Sequence, residues 1–257
     1  LLGRGADPNL QYADNVTALI WTATQGHASI VHALADAGAE LDATSSDGRT
    51  ALMLAAYSGK TDALKALLEK KATTDVRLPD GQTALMLAAN QGHAECVRAL
   101  LAGGAGADLQ DRNGATALMF AARDGFSEAV EELLEAGARP NVQSRNGGTA
   151  LIWASFGGHL STVKALLAKG ADPNKQDIRG NSALMLAGQN GHNDVARALM
   201  ARGALTDLPD PKEEAARIAA AKFAKEKAYE ARVKQASTDT EISDEARALL
   251  LAARHGD

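Results

Sequence analysis

Apolar positions recur along this chain in bursts separated by a constant interval. A threonine or serine followed by Ala-Leu opens each burst, at Thr17, Thr50, Thr83, Thr116, Thr149 and Ser182, so the step is 33 residues every time. Nine residues further on stands a glycine, at Gly26, Gly59, Gly92, Gly125, Gly158 and Gly191. An aliphatic pair follows at a fixed offset, as Leu67-Leu68, Leu100-Leu101, Leu133-Leu134 and Leu166-Leu167, with Leu34-Ala35 and Leu199-Met200 as variants. Then comes a Gly-Ala turn such as Gly170-Ala171-Asp172. A sustained period of this length marks a stacked array of similar units.

The polar positions inside one period say what each burst becomes. A threonine hydroxyl ahead of an Ala-Leu-Met-Leu-Ala-Ala run can accept from the orphan amides of a first helical turn, which predicts an N-cap. The following glycine ends that helix. A second amphipathic helix, carrying Val97, Leu100 and Leu101 in the third unit, stops at a glycine suited to a left-handed cap. Polar stretches such as Asp111-Arg112-Asn113-Gly114 read as turns. Each unit is therefore a helix, a turn, a second helix and a protruding loop. Its large apolar side chains are too few to offset the entropy of ordering the unit by itself, so neighbours must share a core along a one-dimensional array.

These residues carry a family resemblance. The period and the pattern D-x-x-G-x-T-x-L, then A-A-x-x-G-H, then L-L-x-x-G-A-D, resemble ankyrin repeats over residues 1–209. Asp111 to Gly114 and Asp177 to Gly180 match the loop motif fully; His27, His93, His159 and His192 match the glycine-histidine turn. The resemblance implies an all-α dominated repeat solenoid, in which stacked helix-turn-helix units form two curved layers and β-hairpin loops protrude nearly perpendicular to them. It also implies that partners dock on the hairpin tips and on the exposed concave face of the first helices. Two departures stand out. The family's Thr-Pro-Leu-His is here Thr-Ala-Leu followed by Ile20, Met53, Met86, Met119, Ile152 or Met185, which exchanges a hydrogen-bonding residue for apolar contact. Lys71 stands where the other repeats place glycine, so a left-handed backbone there would carry about 1 kcal/mol of strain and make the junction of repeats 2 and 3 a soft point.

The period sets the expected boundaries. A partial repeat occupies 1–11, and six full repeats follow at 12–44, 45–77, 78–110, 111–143, 144–176 and 177–209. No glycine lies between residues 204 and 255, so residues 210–243 are expected as one charged helix to about residue 236 and a polar linker. Residues 244–257 read as the start of a further, truncated repeat, and the whole as a piece of a longer repeat protein.

Composition narrows the function. Aromatic residues make up only 4% of the 257, which suits small, closely packed helices. With 27 basic and 32 acidic side chains the net charge is −5, which removes the electrostatic case for nucleic acid. No apolar run reaches the roughly 18 residues a bilayer span needs. Cys96 is the single cysteine, so there is no internal disulfide and no cysteine-built zinc site, and a cytoplasmic setting is expected.

Candidate chemistry is sparse. The four turn histidines recur one repeat apart, and packed helices stand ~8–10 Å from each other, too far for two nitrogens on one zinc. A structural hydrogen-bonding role is expected for them instead. Cys96, beside Val97 on a second helix, reads as a small, partly buried residue and not as a nucleophile. Gly103-Gly104-Ala105-Gly106 lacks the lysine of a phosphate-binding loop and reads as a glycine-rich helix end. Neither an enzyme nor a cofactor is expected.

What remains is a recognition surface. Hairpin tips and first helices of repeats 1 to 3 present Asp14, Asp47 and Asp80 against Arg49; repeats 4 to 6 present Arg112, Arg123, Arg145 and Arg179 against Asp124. Two electrostatic halves of this kind would orient a protein partner whose acidic segment faces repeats 4 to 6. A merely solvated face is the alternative, since surface arginines need no partner. Tyr57 and Phe156 occupy a normally solvent-facing phase and are the expected apolar anchors. Trp21, Phe120 and Trp153 share another phase, where packing between helices and a groove role both stand open, and Trp153 is kept as a candidate. The expected function is a non-catalytic, monomeric protein-protein interaction scaffold. The alternative is a regulatory or targeting ankyrin module of a larger enzyme, channel or effector whose active part lies outside this sequence.

Overall fold

The computed structural model describes residues 5–207 and 225–230. Contacts divide the chain into two units, Leu1–Leu208 and Pro209–Asp257. In the first unit every apolar burst is a short helix: α1 (Ala18–Gln25), α3 (Ala51–Tyr57), α5 (Ala84–Asn90), α7 (Ala117–Arg123), α9 (Ala150–Phe156) and α11 (Ala183–Gln189). Each is followed by a second helix: α2 (Ala28–Asp36), α4 (Thr61–Glu69), α6 (Ala94–Ala102), α8 (Ser127–Glu135), α10 (Leu160–Ala168) and α12 (Asn193–Met200). Every first helix starts at a threonine or serine whose side-chain oxygen accepts from the third amide of the helix, at 3.2–3.5 Å. That bond satisfies one orphan donor, so alanine can replace proline at the first helical position without loss of the start.

Consecutive first helices pack on one another, consecutive second helices do the same, and the two helices of a unit pack together, which yields two layers. Leu19, Leu52, Leu85, Leu118 and Leu151 of the first layer are almost fully buried, as are Val31, Leu64, Val97, Val130 and Val163 of the second. The alanine pairs Ala55-Ala56, Ala88-Ala89 and Ala121-Ala122 are buried too; such small side chains let neighbouring helices approach closely. Ile20, Met53, Met86, Met119 and Ile152, which replace a polar family residue, lie inside this core, while Met185 in the same phase is 41% exposed because no described repeat follows it.

The hairpins are brief. Among the described residues, extended pairing is limited to isolated bridges, Gln11 with Thr17, Thr44 with Thr50 and Gln176 with Ser182. Each turn closes on itself by a backbone bond such as Ser144 N–H to Gly148 O, 3.0 Å. Successive turns are then joined: Ser46, Arg112, Arg145 and Ile178 donate their amides to Asp14, Asp80, Asn113 and Asn146 carbonyls at 2.7–3.0 Å. Pro79 occupies the same place between repeats 2 and 3 and has no amide to give. At that junction Lys71 holds φ +73°, where the equivalent Gly38, Gly104, Gly137, Gly170 and Gly203 lie at +83° to +90°. The soft junction read from Lys71 therefore has a second cause in Pro79.

In the second unit, residues 225–230 are helical, with Tyr229 half-buried and the rest exposed. The remainder of the helix expected over 210–236, the linker to 243 and the truncated repeat over 244–257 lie outside the described residues, as do residues 1–4.

Candidate functional site

The hairpin tips and the last turns of the first helices are held more firmly than their exposure suggests. A ladder of side chains runs under the hairpins of repeats 3 to 6. Arg77 donates to Gln110 O (2.7 Å), the Gln110 amide to Gln143 O (3.2 Å) and the Gln143 amide to Gln176 O (3.1 Å). The three glutamines also donate to Gly114 O, Gly147 O and Gly180 O within their own turns, at 2.7–3.1 Å. At the helix ends, His93 Nε2 lies 3.1 Å from Tyr57 O, His159 Nε2 3.0 Å from Arg123 O and His192 Nε2 3.1 Å from Phe156 O. A carbonyl only accepts, so each ring nitrogen is the donor. These bonds are the structural role expected for the turn histidines, shown by three of the four. The rings sit over the preceding glycine turn so closely that a Cβ on Gly125, at φ +73°, would lie 2.4 Å from His159 Nδ1. Phe126 takes the histidine position in repeat 4 and covers Gly92 instead.

The side chains of Tyr57, Arg123 and Phe156 thus project outward from carbonyls fixed to the next repeat; Tyr57 is 40% and Phe156 51% exposed. The acidic candidates of repeats 1 to 3 are less available than the sequence implies. Asp47 accepts from Ser45 Oγ at 2.5 Å and pairs with Arg49 at 3.1 Å. The Ser45 bond first, then the Arg49 charge, hold its carboxyl below the usual carboxylate range. Arg49 also lies over the Tyr57 ring, 5.5 Å from its centre, so these three candidates form one local cluster. Asp80 accepts from the Gln82 amide at 3.0 Å in its own turn. Asp14, in the 3-10 turn Ala13–Asn15, is exposed with φ +58°.

In repeats 4 to 6, Arg123 is engaged: it pairs with Asp124 (2.7 Å), donates to Asn90 Oδ1 (2.9 Å) and lies over the Phe120 ring. Arg112, Arg145 and Arg179 are exposed on successive hairpins, and their guanidinium groups have no ion-pair partner among the described residues. Asp111 and Asp177 also belong to this half. Their Oδ1 atoms accept two backbone amides each at 2.8–2.9 Å, which turns the carboxylates into the loops.

Phe120 and Trp153 are half-buried, whereas Trp21 in the same phase is 55% exposed. The two half-buried rings wall a cleft of about 360 Å³ where the hairpins and first helices of repeats 4 and 5 meet, with Met119, Arg123 and Arg145 in its lining. Sequence periodicity put Phe120 and Trp153 in one phase and Met119, Arg123 and Arg145 in others, and did not bring them together as a cleft. Cys96 is fully buried, more than expected, with Thr61 Oγ1 3.3 Å from its sulfur; burial pushes the thiol pKa up, which suits a packed and unreactive side chain. No group of three histidine, cysteine or carboxylate side chains that could hold a metal ion occurs among the described residues.

A family model of ankyrin repeats in three copies matches residues 1–78, 70–144 and 127–210. The chain belongs to the ankyrin repeat family. Ankyrin repeats are generally protein-protein interaction modules, and the family is typically non-catalytic. The comparison with curated proteins gives no match. No helix among the described residues is long and apolar enough to cross a membrane. In this ankyrin array Arg112, Arg145 and Arg179 stand exposed on the hairpin tips without an ion-pair partner among the described residues, and Tyr57 and Phe156 are exposed at the ends of first helices.

Proposed function

We propose that this ankyrin array is a non-catalytic scaffold that docks a protein partner along its hairpin tips and first-helix ends, with an acidic segment of the partner lying across repeats 4 to 6. The observation that carries the reading is the row of Arg112, Arg145 and Arg179, unpaired among the described residues, on hairpins stiffened by the glutamine ladder. A hairpin backbone held in place before binding loses little freedom on association, and a field of one sign raises the encounter rate. Asp111 and Asp177 keep their charge, but their carboxylates turn into the loops to accept backbone amides, which leaves the guanidinium groups as the outermost charges of these tips. Tyr57 and Phe156 supply the exposed rings that commonly anchor an interface. In the same reading the chain acts as a monomer in the cytoplasm, where its single buried cysteine stays reduced.

Affinity capture of a partner, followed by association kinetics of the triple reversal of Arg112, Arg145 and Arg179 to glutamate, tests it. Association should slow by about tenfold or more at low salt and much less at high salt, where the Debye length falls to ~3 Å at 1 M. Reversal of Asp14, Asp47 and Asp80 to lysine is the control and should leave the rate within about twofold. Unchanged kinetics for the arginine variant at low salt contradict the reading.

A further inference from the structure

The cleft between repeats 4 and 5 owes its shape to a side chain that is missing. At the position before the capping threonine the repeats carry Val16, Arg49, Gln82, Ala115 and, before Ser182, Asn181; repeat 5 alone has glycine, Gly148. Its φ lies outside the left-handed range, so the backbone does not call for glycine. The neighbour does. A Cβ on Gly148 would stand 2.9 Å from Trp153 Nε1 and 3.2 Å from Ser144 Oγ, contacts that real Cβ atoms do not sustain without displacing the indole. Gly148 therefore lets Trp153 lean over the hairpin, and Trp153, Phe120 and Met119 together line the cleft.

We infer that this cleft is the specificity pocket of the docking surface and receives one aromatic side chain of the partner's acidic segment, whose flanking carboxylates meet Arg112 and Arg145. The inference rests on the reading that repeats 4 to 6 face an acidic segment, and it adds which residue of that segment is selected. Three features favour this occupant. The volume, about 360 Å³, falls near the lower end of the ~300–1,000 Å³ found for small-ligand pockets. That is room for one large side chain. The rings of Phe120 and Trp153 in one lining offer stacking and edge contacts that an aliphatic side chain uses less well. Arg145 belongs to the lining and is unpaired among the described residues, while Asp111, the one carboxylate there, accepts two loop amides, so the open charge complements an acidic segment.

The test uses the full chain with Trp21→Phe, which leaves Trp153 as the one indole and its emission as the reporter. The probe is a capped five-residue peptide with phenylalanine between pairs of glutamate. Saturable binding with a shift of Trp153 emission is expected, about tenfold weaker when the central residue is alanine and about tenfold weaker again when lysines replace the glutamates. Gly148→Ala, which installs the residue of repeat 4, should weaken the phenylalanine peptide about fivefold or more while the thermal melt stays within a degree or two. Phe120→Leu, the residue of repeats 2, 3 and 6 in that phase, should do the same. Equal affinity for the phenylalanine and alanine peptides, or no saturable binding of the first at millimolar concentration, would overturn the pocket. Equal affinity for the glutamate and lysine peptides would overturn the acidic-segment reading beneath it as well.

Discussion

The hydroxyl of Ser155 lies in the core of the first layer with no hydrogen-bond partner among the described residues, where Ala23, Ala56, Ala89 and Ala122 fill the same phase. A buried hydroxyl that forgoes its bonds to water and gains none in return opposes folding, and alanine is the better helix former. Ser155→Ala should therefore stabilise the array by about 1 kcal/mol, read as a rise in the urea midpoint at unchanged slope. A fall in the midpoint would mean that the hydroxyl has a partner after all. Roles set by local chain geometry were legible at this scale. The capping threonines act within three residues of themselves, and the turn histidines recur at one phase with a glycine beside each. The role of Gly148 was not legible, because a glycine that makes room for a tryptophan five residues away looks the same in sequence as one that serves a turn. Only its departure from Arg49, Gln82, Ala115 and Asn181 in the same phase could have pointed to it.

Among the elements, the units differ in how well they are joined although their helices are nearly uniform. The junction of repeats 2 and 3 has Lys71 in a left-handed backbone and Pro79 in place of a linking amide, while that of repeats 4 and 5 has Gly137 at the equivalent turn, the Arg145 amide and the Gln110 side-chain amide; a histidine bond, from His93 or His159, spans each of the two. In a one-dimensional array, weak coupling between units lowers the free energy of opening on that side. Native-state hydrogen exchange should show the amides of α1 to α4 opening at lower free energy than those of α7 to α10. Lys71→Gly should relieve ~1–2 kcal/mol of left-handed strain and give back part of it as unfolded-state entropy, for a net stabilisation of about 0.5–1 kcal/mol. Since a Cβ at the equivalent Gly38, Gly104 and Gly137 would meet nothing within 4 Å, strain and not crowding is the cause under test. Uniform protection across the array, or no gain from Lys71→Gly, would count against the soft junction. The helices themselves were plain from the 33-residue period, because caps, core phase and turn glycines all agree. The hairpins were expected as protruding loops and are shorter than that term suggests, single bridges closed by turn amides.

On the scale of the whole array, several of the charges that sequence assigned to two electrostatic halves are engaged locally. Asp47 is neutralised by Arg49 and Arg123 by Asp124, and Asp111 and Asp177 turn inward, which leaves Arg112, Arg145 and Arg179 as the outward charge. Periodicity tells which positions stand at tips and cannot tell which charges pair, since pairing depends on rotamers and on neighbours in the same loop as much as across repeats. The cleft of repeats 4 and 5 escaped for the same reason: it is built from several phases and two repeats, and from the space left by Gly148. The central claim is that a protein partner docks on the hairpin tips and concave helix ends of repeats 4 to 6, and hydrogen-deuterium exchange of the array with and without its captured partner tests it most directly. The expected result is slowed exchange in residues 111–124, 144–157 and 177–190, with no change in α8, α10 and α12 of the second layer. Protection confined to the second helices, or to repeats 1 and 2, would contradict it.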